Sequence, residues 1–251
     1  MNNENSNTNN NINNNININI IEKSKRASDL FPRRITVFCG HYGSGKTEIS
    51  VHTALELKKS HEKVALVDLD IVNPYFRSAE QRELVEGAGV RLLAPTFALT
   101  TIDIPGLPAE IQSVFDAPNE KVIFDVGGDD TGAVALGRYK PYFDKSDFEM
   151  LFVINTLRPF SSSVESIVDL YGRIVSRARM KASALINNTN FGAQTTPQDV
   201  INGQKIVEEA SAALGIPLRA VTAQPEIMDR LPREMQEIGY PITTRMRPEW
   251  M

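Results

Sequence analysis

Residues 34–48 read "RITVFCGHYGSGKTE", and this stretch decides the fold. The apolar run at 34–39 has the length and β-branched content of a short strand, and it stops at Gly40. From Lys46 onward, "KTEISVHTALELKKS" (46–60) reads as a helix. Between the two, Gly40, Gly43 and Gly45 permit unusual backbone torsions and close approach of a ligand. A strand, a Gly-x-x-x-x-Gly-Lys-Thr loop and a helix, in that order, describe a turn whose N–H groups converge on phosphate oxygens at a helix N-terminus. The expected nucleotide contacts are Gly40, His41, Tyr42, Gly43, Ser44, Gly45, Lys46, Thr47 and Glu48. Lys46 would supply a point charge to the β- and γ-phosphates, and the Thr47 hydroxyl a ligand to Mg2+.

Such a loop needs an acid for the metal. "KVIFDVGG" (121–128) ends an apolar run with Asp125 and two glycines, and Asp125 is the expected Mg2+ acid, acting through water. The glycines would let the following segment swing toward a γ-phosphate. "KVALVDLD" (63–70) ends a second run with Asp68 and Asp70, candidates for orienting the attacking water or a metal-bound water. A polar strand end or a helix cap is the plain alternative for that pair.

Working outward, strand candidates fall at 34–39, 63–70, 90–95, 121–127, 150–155, 182–187 and 217–222. Most are continuous apolar runs, the pattern of strands covered on both faces in a parallel sheet. Helical patterns lie between them at 46–60, 78–87, 106–115, 161–178 and 196–214. The last opens on Thr196, Pro197 and Asp199, which read as an N-cap, a first-turn proline and an early acid. The alternation predicts a doubly wound α/β sheet.

The chain has 251 residues, enough for one large α/β domain. It opens with an Asn/Ile-rich run, "MNNENSNTNNNINNNININIIEK", without a basic start or a continuous apolar core. Asn favours turns over regular backbone bonding. A disordered tail over 1–30 is therefore expected before a nucleotide-binding domain over 31–251, with self-association of the tail as the alternative. A net charge of −4 offers no footprint for nucleic acid or a membrane surface. Cys39 is the only cysteine, so no internal disulfide exists and a reducing, cytoplasmic setting is expected. His41, His52 and His61 have no metal-ligand spacing. No apolar run approaches the ~20 residues that span a bilayer. Pro241 and Pro248 interrupt any C-terminal amphipathic helix.

Together, "GHYGSGKT", "VALVDLD" and "VIFDVGGDD" resemble the MinD/ParA superfamily of P-loop ATPases, the CobQ/CobB/MinD/ParA nucleotide-binding domain. The resemblance implies a mostly parallel, seven- or eight-stranded sheet flanked by helices, with ATP and Mg2+ as cofactors and a possible homodimer around the nucleotide. Many members carry a second lysine after the first loop glycine; His41 stands there in this chain. The resemblance also implies that an asparagine at the end of "ASALIN" (182–187) contacts adenine, and Asn187 and Asn188 both fit. A side-chain amide offers both the donor and the acceptor that a purine edge needs. "NNTN" (187–190) lacks the acid of a guanine signature, which favours adenine. Gln224 and Pro225 resemble a loop that closes over the base.

Three uses of the nucleotide compete. One is a slow ATPase switch acting on an unknown partner protein or cargo, with Tyr75, Phe76 and Arg77 on a partner surface. A second is a synthetase or kinase for a small molecule, with walls from 98–111 and 155–163 and Arg158 as an anion anchor. A third is metal-centre maturation, for which Cys39 alone holds no cluster, so that a partner would handle the cargo. The switch is the preferred reading.

Overall fold

The structure is a computed structural model that describes residues 26–70, 79–94 and 109–245. Eight strands form one sheet: β1 (Ile35–Cys39), β2 (Val64–Leu69), β3 (Arg91–Leu93), β4 (Lys121–Val126), β5 (Phe148–Ile154), β6 (Ala184–Asn187), β7 (Leu218–Ala223) and β8 (Gly239–Pro241). Their order is β3-β2-β4-β1-β5-β6-β7-β8, and every pairing is parallel. The sheet is flanked by α1 (Ala27–Leu30), α2 (Lys46–Lys58), α3 (Ala79–Gly87), α4 (Ala109–Gln112), α5 (Asp130–Arg138), α6 (Lys140–Phe143), α7 (Val164–Ala178), α8 (Pro197–Leu214), α9 (Pro225–Met228) and α10 (Arg233–Glu237).

The strands read as unbroken apolar runs because both faces are covered. In β1, Ile35, Val37 and Cys39 join Val122, Phe124 and Val126 of β4 in one core. Phe38 and Ile123, pointing the other way, pack with Ile49, Val51 and Ala54 of α2 in a second core. Period-two alternation thus feeds two apolar layers rather than one apolar and one wet face. Truncating a ring such as Phe124 would cost roughly 3–5 kcal/mol.

Helix α8 begins as its sequence reads. The Thr196 hydroxyl accepts from the Asp199 N–H, and the Asp199 carboxylate accepts from the Thr196 N–H at 2.8 Å. Gly215 ends the helix in the left-handed region, at φ 66°.

Besides the short helices α6, α9 and α10, three elements differ from the expectation. Residues 27–30, counted with the tail by composition, form α1, whose Leu30 is buried beside Phe31. The Phe31 ring meets Phe38 and Tyr240 edge-on at 5.4 Å. Strand β8 is three residues long and ends in Pro241, too short and too irregular to show a period. Helix α5 carries Gly132 and Gly137, which weaken its helical signal, but Asp129 caps it by accepting from the Gly132 N–H at 2.8 Å. The residues 1–25, the aromatic pair Tyr75–Phe76 with Arg77, and most of the 98–111 wall lie outside the described residues.

β1 lies between β4 and β5, with β2 and β3 beyond β4 on one side and β6 to β8 beyond β5 on the other. The carboxyl end of β1 is therefore the switch point of the sheet, where open α/β folds hold their ligands.

Candidate functional site

The loop from Gly40 to Gly45 leaves β1 at that point and delivers Lys46 as the first residue of α2. Gly45, the N-cap, sits at φ 84°, and a Cβ there would fall 2.2 Å from Asn188 Nδ2. Glycine is demanded twice over, by the torsion and by the contact. The first-turn amides of α2 have no acceptor within the helix, which makes this end an anion site by construction. Lys46 is buried, and its Nζ donates to the His41 carbonyl at 3.0 Å, spanning the loop. Burial pushes the Lys46 ammonium toward its neutral form, against the pull of Asp125, Asp70, Cys39 and Asp129.

On the β4 flank stand the acids. Asp125 is buried near the end of β4 and paired in register with Asp68 of β2. Its pKa is raised to about 6 because desolvation outweighs Lys46 and the hydrogen bonds from Thr47 and Ser50. The Ser50 hydroxyl donates to Asp125 Oδ1 at 3.3 Å. Asp68 Oδ1 accepts from the Asp70 N–H at 2.8 Å, so this acid shapes the turn after β2. The chain after Asp125 lies against the loop: the Tyr42 N–H donates to the Gly128 carbonyl at 3.2 Å. A Cβ on Gly128 would meet the Tyr42 backbone nitrogen at 2.3 Å, so only glycine permits this contact.

These residues fit a hard divalent cation. A buried carboxylate with unbalanced charge and a hydroxyl on the adjacent helix turn are oxygen ligands of the kind Mg2+ takes, with its remaining positions filled by phosphate and water. Among the described residues no group of three or more His, Cys, Asp and Glu could hold a metal.

The other flank is made of amides and hydroxyls. Asn188 Nδ2 donates to the Ser44 carbonyl at 2.6 Å, and its Oδ1 accepts from the Thr222 hydroxyl. Asn187 Nδ2 donates to Gln204 Oε1 at 2.9 Å, and its Oδ1 accepts from the N–H and hydroxyl of Thr189 at 3.0 and 2.7 Å. Both side chains are buried and committed within the protein. Asn188 thus holds the loop, and Asn187 ties the end of β6 to α8 and to Thr189. Sequence reading missed their companions Asn155, Thr189 and Thr222. Asn155 Nδ2 donates to the carbonyls of Gly43 and Asn190 at 3.4 and 2.9 Å. Arg158, expected as an anion anchor, lies directly on the loop, with Nε donating to the Gly43 carbonyl at 3.1 Å.

At the loop mouth, Tyr42 is 64% exposed, and the His41 ring lies 4.8 Å from the Phe160 ring. Glu48 Oε1 accepts from the Arg245 N–H at 2.7 Å, which ties the C-terminal segment to the first turn of α2. Gln224 Nε2 donates to the Thr244 hydroxyl at 3.0 Å, and Pro225 opens α9. Ser44 is buried, and its hydroxyl has no partner among the described residues. A cavity of about 350 Å³ lined by Lys63, Arg91 and Asn119 opens at the amino ends of the strands, the wrong end of a parallel sheet for its ligand. Arg91 there is engaged by Glu120. Among the described residues no helix is long and apolar enough to cross a membrane.

No family model matches the chain, and no curated protein matches it. Among solved structures it is similar to the cell division protein FtsY from Thermotoga maritima, at 18% identity and a TM-score of 0.50, covering 81% of this chain and 66% of that one. It aligns at 19% identity and a TM-score of 0.49 with the signal recognition particle 54 kDa protein from Aeropyrum pernix K1 in complex with GDP, over 74% of this chain and 40% of that one. FlhF complexed with GTP and Mg2+ aligns at 14% identity and a TM-score of 0.48, over 81% and 72%. The chain thus spans 40% and 66% of the lengths of the first two. These neighbours correct the MinD/ParA assignment: none of them is a MinD/ParA ATPase, and at this identity what the chain shares with FtsY is the fold alone. The physical reason is that a glycine loop after β1 and acids at the ends of β2 and β4 are parts of P-loop folds in general, so those motifs did not single out one superfamily. What stands is a single, wholly parallel eight-stranded sheet flanked by helices, the P-loop fold.

Proposed function

We propose that the protein binds a nucleoside triphosphate with Mg2+ at the carboxyl end of β1 and hydrolyses it slowly, using the bound state to act on a partner or cargo. The observation that carries this reading is the convergence of Lys46, Thr47 and Asp125 at the switch point of a parallel sheet. The nucleotide's phosphates would take the place that the His41 carbonyl now occupies at Lys46 Nζ. The loop amides and the start of α2 would receive the phosphate oxygens. Thr47 and Asp125 would hold Mg2+, which would supply charge neutralisation on the phosphates. Asp70, or Asp68 through the turn it shapes, would orient a water for in-line attack on the γ-phosphorus as the bond to the diphosphate breaks. Gly128, against Tyr42, would register the γ-phosphate.

We assign ATP as the nucleotide. Asn190 stands where a guanine signature requires an acid. The exposed side chains Tyr42, Leu157, Phe160 and Phe191 would give a partner, or a second copy, an apolar surface at the site. Metal-centre maturation is less well supported, because Cys39 is buried and its pKa is pushed up to about 12 by desolvation. Calorimetric titration with Mg-ATP and Mg-GTP, paired with a turnover assay, tests the proposal. ATP should bind at least tenfold more tightly than GTP; equal or better GTP binding would remove the adenine assignment, and no binding of either would remove the nucleotide site.

A further inference from the structure

We propose that Arg158 is a second cation of the phosphate site and contacts the phosphate chain of the bound nucleotide. This rests on the phosphate-loop reading above and adds a residue to it. Lys46 faces acids on the β4 flank, whereas the side chains reaching the loop from β5 and β6 are neutral, apart from Arg158. Its Nε bonds the Gly43 carbonyl, and a Cβ on Gly43 would lie 3.1 Å from Nε and 3.4 Å from Cζ. The guanidinium therefore rests on the loop backbone, and glycine is what lets it settle there.

Holding that carbonyl does not require a charge, because Asn155 Nδ2 donates to the same oxygen. Arginine has five N–H donors; among the described residues one of them is used, and no carboxylate forms an ion pair with Arg158. Half-buried Arg219 meets Glu149, and half-buried Arg34 spends its donors on the carbonyls of Val114, Phe115 and Ala117, whereas Arg158 keeps most of its donors unspent among the described residues. A half-buried guanidinium with spare forked donors beside an anion loop matches the planar, bidentate recognition of phosphate.

The segment that carries it is braced. The Arg158 N–H donates to the Asn155 carbonyl at 3.1 Å, and the Ser161 hydroxyl donates to the same carbonyl at 2.7 Å. Pro159 follows directly, and Phe160 packs on His41. The position of the guanidinium is thus set before a ligand arrives, which lowers the ordering cost of using it.

The test measures binding of Mg-ATP, Mg-ADP and inorganic tripolyphosphate to wild type, Arg158→Gln, Arg158→Lys and Lys46→Ala by calorimetry. Arg158→Gln should weaken ATP and tripolyphosphate roughly ten- to a hundredfold, with a smaller loss for ADP. Arg158→Lys, which keeps the charge without the fork, should recover only part of that loss. An equal loss for all three ligands would reduce Arg158 to a positioning residue that acts through Gly43 and would overturn the proposal. So would unchanged affinity in Arg158→Gln while Lys46→Ala binds nothing, an outcome that leaves the phosphate-loop reading intact. If wild type binds none of the three, that reading fails and this proposal goes with it.

Discussion

On the β4 flank of the loop, the acids Asp125, Asp70 and Asp129 gather around one buried ammonium. On the β5–β6 flank, Asn155 and Asn188 bond the loop carbonyls of Gly43 and Ser44, Thr222 bonds Asn188, and Thr189 bonds Thr156 and Asn187. The first flank leaves charge in tension: burial drives Asp125 and Lys46 toward neutrality, and each restrains the other. The second flank has almost no charge and nearly complete hydrogen bonding. A site that must receive a highly charged ligand needs the first kind of wall, and a loop that must keep its shape while empty needs the second. The division teaches that ligand binding and loop geometry are separable here by mutation.

The hardest test of that separation is Lys46→Ala. It should weaken Mg-ATP binding by roughly a hundredfold or more while thermal unfolding shows an intact fold, because a desolvated ammonium contributes little to stability. A collapsed fold would mean that the charged flank is also structural. Asn188→Ala attacks the other wall. It removes a partner from the Ser44 carbonyl and from Thr222, and should cost about 2–3 kcal/mol of stability in denaturant unfolding. A variant of unchanged stability that fails only in nucleotide binding would restore Asn188 as a ligand contact.

The back of α2 offers a third test, in pH. His52 is buried edge-on against Tyr240, its Nδ1 has no partner among the described residues, and desolvation lowers its pKa to about 4. The unfolded chain binds a proton near pH 6.5, whereas the folded protein resists it until about pH 4. Stability at neutral pH is therefore lost as pH falls through this window. Between about pH 7 and 4.5 the loss from this residue should be roughly 2 kcal/mol, and His52→Gln should flatten that part of the profile. An unchanged slope would show that His52 finds a proton partner. The smallest effect is expected from Thr222→Val, about 1 kcal/mol, with nucleotide affinity held within twofold or so of wild type. A larger loss of affinity than of stability would blur the two flanks.

Much of this was legible in the chain. Continuous apolar runs marked β1, β2 and β4 through β7, because strands covered on both faces leave no alternation to misread. The glycines and Lys46 announced the loop, since few other structures require that spacing. Asn187 and Asn188 show where reading residue types stops short. An amide suits a purine edge and a backbone carbonyl equally well, and only the packing of β6 against the loop and α8 tells which one it meets. Arg158 was singled out for its charge but not for its seat on Gly43, because a contact across 115 residues leaves no local pattern. β8 escaped notice because three residues cannot establish a period.

That brevity has a consequence beyond the site. The two outermost strands, β3 and β8, are each three residues long, and β8 closes on a proline that has no N–H to offer. A wide parallel sheet with long open borders would invite other chains to extend it. Among the described residues each border is a strand of only three residues, too short to seed intermolecular strand addition. Concentrated solutions of the folded protein should therefore resist fibrillation through this sheet, and any tendency to assemble should trace to other surfaces.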